Sequence, residues 1–78
     1  MSTLVKHKEP MAIKIYFKDN KLYVLLDDNR EIGVPLEWFP KLNTATDKQR
    51  ENYQLIGDGL GIHFPDIDED ISVAGLLR

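Results

Sequence analysis

The sequence predicts an α+β fold: a small single domain in which an antiparallel meander of three to four strands is covered by two or three short helices. Three observations lead there. Apolar residues alternate in segments between residues 12 and 34 that are separated by tight-turn residues. Helix-start signals follow only after that stretch, and strands followed by helices indicate segregated layers rather than a parallel sheet. At 78 residues the chain has room for one core and no more.

The elements follow in order. Residues 1–11 read as a flexible N-terminal tail, closed by Pro10-Met11, and 12–78 as the single domain. In Ala12-Ile13-Lys14-Ile15-Tyr16-Phe17-Lys18 the alternation puts Ile13, Ile15 and Phe17 on a core face, with Lys14, Tyr16 and Lys18 opposite. Asp19-Asn20 is a turn pair tolerant of left-handed backbone. A second strand, Lys21 to Leu26, turns Leu22, Val24 and Leu26 inward. After the turn Asp27-Asp28-Asn29 comes a third, shorter strand over Arg30 to Val34, which Pro35 ends for lack of a ladder donor.

Leu36 to Phe39 begins a helical turn beside Pro40. Thr46-Asp47-Lys48-Gln49 matches a capping box, from which a surface helix is expected to run through Ile56 and stop at Gly57. Leu60 to Phe64 reads as a fourth strand, Pro65 to Asp70 as an acidic turn, and Ser72 as the cap of a last helical turn through Leu77.

Composition limits the chemistry. Without cysteine, disulfides and thiolate metal sites are excluded. The net charge of −3 and the scatter of basic residues from Lys6 to Arg78 leave no stripe for phosphate, so no direct contact with nucleic acid is expected. No apolar run is long enough to span a membrane and no signal peptide opens the chain, so a cytoplasmic protein without a membrane role is expected.

The motifs that suggest catalysis or ligand binding fail on inspection. Gly57-Asp58-Gly59-Leu60-Gly61 follows a helix and precedes a strand, the reverse of a phosphate-cradling loop. Asp66-Ile67-Asp68-Glu69-Asp70 has the opening spacing of a calcium loop, yet Ile71 and Leu77 stand where that loop needs Gly and a bidentate Glu. His63 has no nucleophile or orienting partner at a telling spacing, and Ser72 is committed to capping. No enzyme, cofactor or metal is therefore expected.

Trp38-Phe39-Pro40 stands apart. Two large aromatics in sequence carry more apolar area than one helical turn buries on one side. Either both plug the open end of the core, or one lies at a protein interface, where Trp and Tyr are enriched. Tyr16, Tyr23 and Leu25 on the outer face of the meander extend such a surface.

Two segments carry a family resemblance. They are Val34-Pro35-Leu36-Glu37-Trp38-Phe39-Pro40-Lys41-Leu42, with Ala45-Thr46 and Gln49-Arg50 after it, and Ile62-His63-Phe64-Pro65-Asp66-Ile67-Asp68-Glu69-Asp70-Ile71-Ser72-Val73 with Leu76-Leu77. Together they resemble the short members of the bacterial domain-of-unknown-function family numbered 2442, from about Ala12 to Arg78, with Phe64 where that family commonly has Trp. The resemblance implies a small α+β domain without established catalytic residues. It also implies an antitoxin-like role, because members often stand beside a small protein of the uncharacterised family numbered 4160. Longer relatives add a helix-turn-helix domain; this chain reaches Arg78 without one, so no operator contact is expected.

The expectation is a protein-interaction module that binds and neutralises a small, basic toxin encoded next to it. Tyr23, Trp38, Phe39, His63, Asp66 and Asp68 are its candidate contacts. The alternative is a homodimerising regulatory or scaffold domain, associating by edge-strand pairing or through its outer aromatic face.

Overall fold

In the first hairpin, the sequence pattern and the backbone agree closely. The computed structural model describes residues 9–77; the tail assigned to residues 1–11 therefore falls, up to residue 8, outside the described residues. Strand β1 (Ala12–Lys18) pairs antiparallel with β2 (Lys21–Leu26), and β2 with β3 (Glu31–Pro35), giving a sheet of order β1-β2-β3. Asp19 and Asn20 both take positive φ, 52° and 62°. That is the two-residue turn whose twist suits a hairpin. At the second turn the Asp28 carboxylate accepts from the Arg30 N–H at 3.0 Å, which holds its pKa below the usual value. Leu22, Val24 and Leu26 are fully buried, as the alternation requires.

Strand β1 departs from simple alternation. The register runs Ala12 with Leu26 and then Lys14 with Leu25, so one residue too many stands on β1 and a bulge forms at Ile13. Ile13, expected in the core, is turned out and 56% exposed, while Ala12 and Ile15 are buried. Three strictly alternating isoleucine and phenylalanine positions cannot reveal a bulge, because the slip changes which residue faces inward without changing the residues.

A short 3-10 turn over Leu36–Trp38 leads into α1 (Pro40–Asn43) and α2 (Asp47–Glu51). The capping box is present in both directions: the Thr46 hydroxyl accepts from Gln49 N–H, and Gln49 Oε1 accepts from Thr46 N–H. Arg50 reaches back from α2 to donate to the carbonyls of Leu42 and Asn43, at 3.0 and 2.9 Å, and its guanidinium lies over the Phe17 ring. It thus closes the C-terminal end of α1, where orphan carbonyls need donors.

The helix expected to continue through Ile56 stops at Glu51. Gln54–Ile56 is instead β4, which pairs with β5 (Gly61–Phe64), and β5 pairs with β6 (Glu69–Ser72). The residues expected as a fourth strand of the meander are therefore the middle of a second three-stranded sheet, and the acidic turn is shorter than expected. Asn52 to Ile56 offers only Tyr53 and Ile56 at helical spacing, and tertiary pairing of Gln54–Ile56 with β5 decides the outcome over this weak helical tendency. Helix α3 (Val73–Leu76) follows, with the Ser72 hydroxyl accepting from Gly75 N–H as its cap.

Both sheets feed one core. Ile15, Leu22, Val24, Leu26 and Val34 of the first sheet meet Ile62, Phe64 and Ile71 of the second, with Leu36, Leu42 and Val73 from the connections. Phe64 is completely buried, its ring 6.3 Å from both Phe17 and Tyr53. The chain between β4 and β5 closes on the start of β1 at Gly59, where an added Cβ would stand 2.4 Å from Ala12 O.

Candidate functional site

Trp38 and Phe39 are neighbours in sequence with opposite fates. Phe39 packs against the core, whereas Trp38 is 62% exposed, the most exposed of the large apolar side chains described. The 3-10 turn ends between them: Phe39 N–H donates to Leu36 O at 2.9 Å, and Pro40 then starts α1 with a fixed φ. With Leu36 inward as the buried residue of the turn, the tryptophan two positions on is carried outward.

Trp38 and Phe39 line an open depression with Asp70, Ile71, Ser72 and Leu76. On the other side of the same strand, Ile56, Leu60 and Gly61 line a second one together with Asp70, Ile71 and Ser72. Ile56 and Leu60 are each 43% exposed there. A Cβ at Gly61 would stand 3.0 Å from Ile56 Cγ1, so glycine leaves room for Ile56 to lie across the sheet. β6 is thus an acidic strand with apolar surface along both flanks.

The acidic candidates are not a preformed ion site. Asp66 and Asp68 are exposed in the turn before β6, and the Asp68 carbonyl, not its carboxylate, accepts from Lys41 Nζ at 3.1 Å. His63, facing outward on β5, hydrogen-bonds through Nδ1 to Asp70 Oδ1 on β6. Among the described residues no three histidine, aspartate or glutamate side chains gather as metal ligands. No helix among them is long and apolar enough to cross a membrane.

Tyr23 lies elsewhere, on the outer face of the first sheet. Its ring stacks on Tyr16 with centroids 5.0 Å apart and planes 12° from parallel, and its other edge lies over Gly33. Tyr16 donates its hydroxyl to Glu31 Oε2 at 2.9 Å, across β2. That hydrogen bond, then loss of water contact and the Glu31 charge, raise the Tyr16 pKa above its ordinary 10.0. A raised folded-state value means that the contribution is whole below the unfolded pKa and is lost as pH climbs through the folded one. Glu31→Gln is expected to move the Tyr16 titration to lower pH, as followed by NMR of labelled tyrosine. An unmoved titration would show that the hydrogen bond is not the cause.

The structure therefore brings together Trp38 and Phe39 with the strand that His63 contacts, and sets Asp66 and Asp68 just before that strand. Tyr23 does not join them. Ile56, Leu60, Asp70 and Leu76 were absent from the candidates. The signal for the edge strand was present as the alternation Glu69-Asp70-Ile71-Ser72-Val73, in which Ile71 and Val73 point inward. The density of acids in that stretch reads more readily as a turn.

A crystal structure of a protein of unknown function from Rhodospirillum rubrum ATCC 11170, determined at 2.75 Å resolution, is similar to this chain. The two share 28% sequence identity, the match covers 90% of this chain and 87% of that one, and the TM-score is 0.77. No curated protein matches the chain. The family described as "Protein of unknown function (DUF2442)" matches residues 12–78.

Proposed function

The chain belongs to the DUF2442 family of proteins of unknown function, and from that premise we propose that it is a non-catalytic interaction module which binds and neutralises a small basic protein. The observation that carries the reading is Trp38, 62% exposed beside an acidic strand with apolar flanks. The backbone under Trp38 is a turn fixed between a buried Leu36 and a packed Phe39, so a partner that covers the ring costs side-chain rotamer freedom but no ordering of the chain. Large aromatics of this kind dominate interface energies.

Charge selects the partner. The net charge of −3, with Asp70 beside Trp38 and Asp66 and Asp68 exposed in the turn before β6, favours a basic protein by speeding encounter and discouraging acidic competitors. A basic protein that acts on nucleic acid fits this field, and a neighbour-encoded toxin is that kind of protein. The role is then that of the antitoxin half of a pair, carried out in the cytoplasm without cofactor or metal.

Trp38→Ala is expected to weaken capture of such a partner by on the order of tenfold or more. Because the side chain is largely solvent-exposed, the fold should be kept, and circular dichroism checks this. Unchanged binding by a folded variant would remove Trp38 from the interface.

A second reading, self-association through the outer face of the first sheet, is favoured by the Tyr16–Tyr23 stack. It predicts a mass that rises with concentration in the isolated protein and falls back in Tyr23→Ala. A mass that stays monomeric at all concentrations would discard it.

A further inference from the structure

Among the described residues, the outer rim of β6 has no strand to take up its hydrogen-bonding groups. Val73 N–H donates to Leu60 O at 3.0 Å, and this fixes the phase of the ladder between β5 and β6. In an antiparallel pair bonded residues alternate with non-bonded ones. Glu69, Ile71 and Val73 therefore bond to β5, while Asp70 and Ser72 turn their N–H groups, and Asp70 its carbonyl, away from it. β6 has β5 as its one strand partner among the described residues. An edge of this kind is a template for another strand.

The flanks and the charge together specify the occupant. The two depressions that share Asp70, Ile71 and Ser72 present Ile56 and Leu60 on one side and Trp38 and Leu76 on the other. A strand laid along β6 points successive side chains to alternate faces, so a strand of alternating character sets its apolar residues against one of these surfaces and its charged residues on the face of Asp70. A second copy of β6 in the register that sets Asp70 opposite Asp70 would face like charges across strands, which is destabilising, and in the register that sets Asp70 opposite Ser72 it would bring Asp70 no cation. A basic strand meets complementary charge at the same positions.

We infer that β6 receives an extended segment of the partner protein, basic and apolar in alternation, as a fourth strand of the second sheet. This rests on the reading of the chain as a binder of a basic protein and says how it binds. The segment's main chain bonds to Asp70 and Ser72, and its cations face Asp70 and the preceding Asp68. Its apolar side chains, on the face opposite its cations, cover Trp38 and Leu76. The acid at Asp70 favours a strand of opposite charge over a second acidic copy.

The probe is an eight-residue peptide of alternating lysine and valine, titrated into isotope-labelled full-length chain and followed by NMR. Two further versions carry N-methyl groups on alternate residues, one in each phase, and a fourth peptide has glutamate in place of lysine. The lysine–valine peptide should shift the amide signals of Asp70 and Ser72. One N-methylated phase should bind roughly tenfold more weakly or worse, and the glutamate peptide should not bind.

Ser72→Pro gives a test within the protein. Ser72 sits at φ −89° and ψ 127°, close to the range of proline, and its lost N–H faces outward. Asp70→Asn is the companion variant that keeps both the N–H and the cap of α3. Ser72→Pro should weaken peptide binding roughly tenfold with the Phe64 signals unmoved, and Asp70→Asn should weaken it less and reduce its salt dependence.

Equal binding of both N-methylated peptides, or shifts confined to the Tyr16–Tyr23 face, would overturn strand addition. A dimer that Ser72→Pro dissolves would overturn it too, by making a second copy the occupant. A protein partner bound as tightly by Ser72→Pro as by the parent would leave the partner reading standing and sink this mode of binding. Peptide pairing at β6 with partner capture indifferent to Trp38→Ala would do the reverse.

Discussion

Phe64→Ala is expected to remove about 3–5 kcal/mol of folding stability, the usual cost of truncating a fully buried phenylalanine. Phe64 has no exposed surface and sits where the layers meet, its ring against Phe17 of β1 and Tyr53 before β4. Loss of the ring leaves a cavity bordered by strands of both sheets, which neither can fill without disturbing its own register. Small domains have roughly 5–15 kcal/mol in total and often less at this length. The variant should therefore be partly unfolded at room temperature, with its urea midpoint moved sharply down. A loss under about 1 kcal/mol would mean that the two sheets do not share their core as described.

Gly59→Ala is expected to be nearly as damaging, although it adds only one carbon. Gly57, Asp58 and Gly59 all have positive φ, and Gly59 at 107° lies where a side chain is strained. A Cβ there would also stand 2.4 Å from the carbonyl oxygen of Ala12 and 3.0 Å from Met11 Cβ. The conformation alone costs on the order of 1–3 kcal/mol, and the collision adds to it because backbone cannot swing aside as a flexible side chain would. What yields is the seam between the second sheet and the start of β1. Gly75→Ala is the control, since a Cβ there has Ser72 Cβ at an ordinary 3.7 Å inside α3. Thermal melts should show Gly59→Ala well below the parent and Gly75→Ala at or slightly above it. Equal melts for all three would remove the close approach from the account.

The first sheet was legible because its signals are local. Turn residues of known preference separate three alternating runs, and the register follows from the hairpins. The bulge at Ile13 was not legible, since it depends on which residue of a uniformly apolar run pairs with Leu25 or Leu26. The caps at Thr46 and Ser72 were readable from residue type and spacing, whereas the lengths of the helices they open were not. α2 ends early because Asn52 to Ile56 gains more by pairing with β5, a partner that the local sequence does not reveal. The same holds for β6, whose acids read as turn residues until the opposite strand is in place.

Of the candidate contacts, the pair Trp38-Phe39 was found by composition, yet which of the two faces solvent is decided by the 3-10 turn between Leu36 and Pro40. Asp66, Asp68 and His63 were gathered by proximity in sequence to what proves to be an edge strand. Tyr23 was selected for facing away from the core, which it does, but on the other sheet. Leu60 and Ile56 come together with Ser72 only through the pairing of β4, β5 and β6. A surface assembled across three short strands leaves no spacing signature in the chain.

The most direct measurement is growth of cells that express the protein encoded beside this chain. It is made alone, with the parent chain, and with Trp38→Ala at matched levels. Arrest by the neighbour alone, rescue by the parent and failure of rescue by the folded Trp38→Ala variant is the predicted result. A harmless neighbour, or rescue by both forms alike, would contradict neutralisation through this surface.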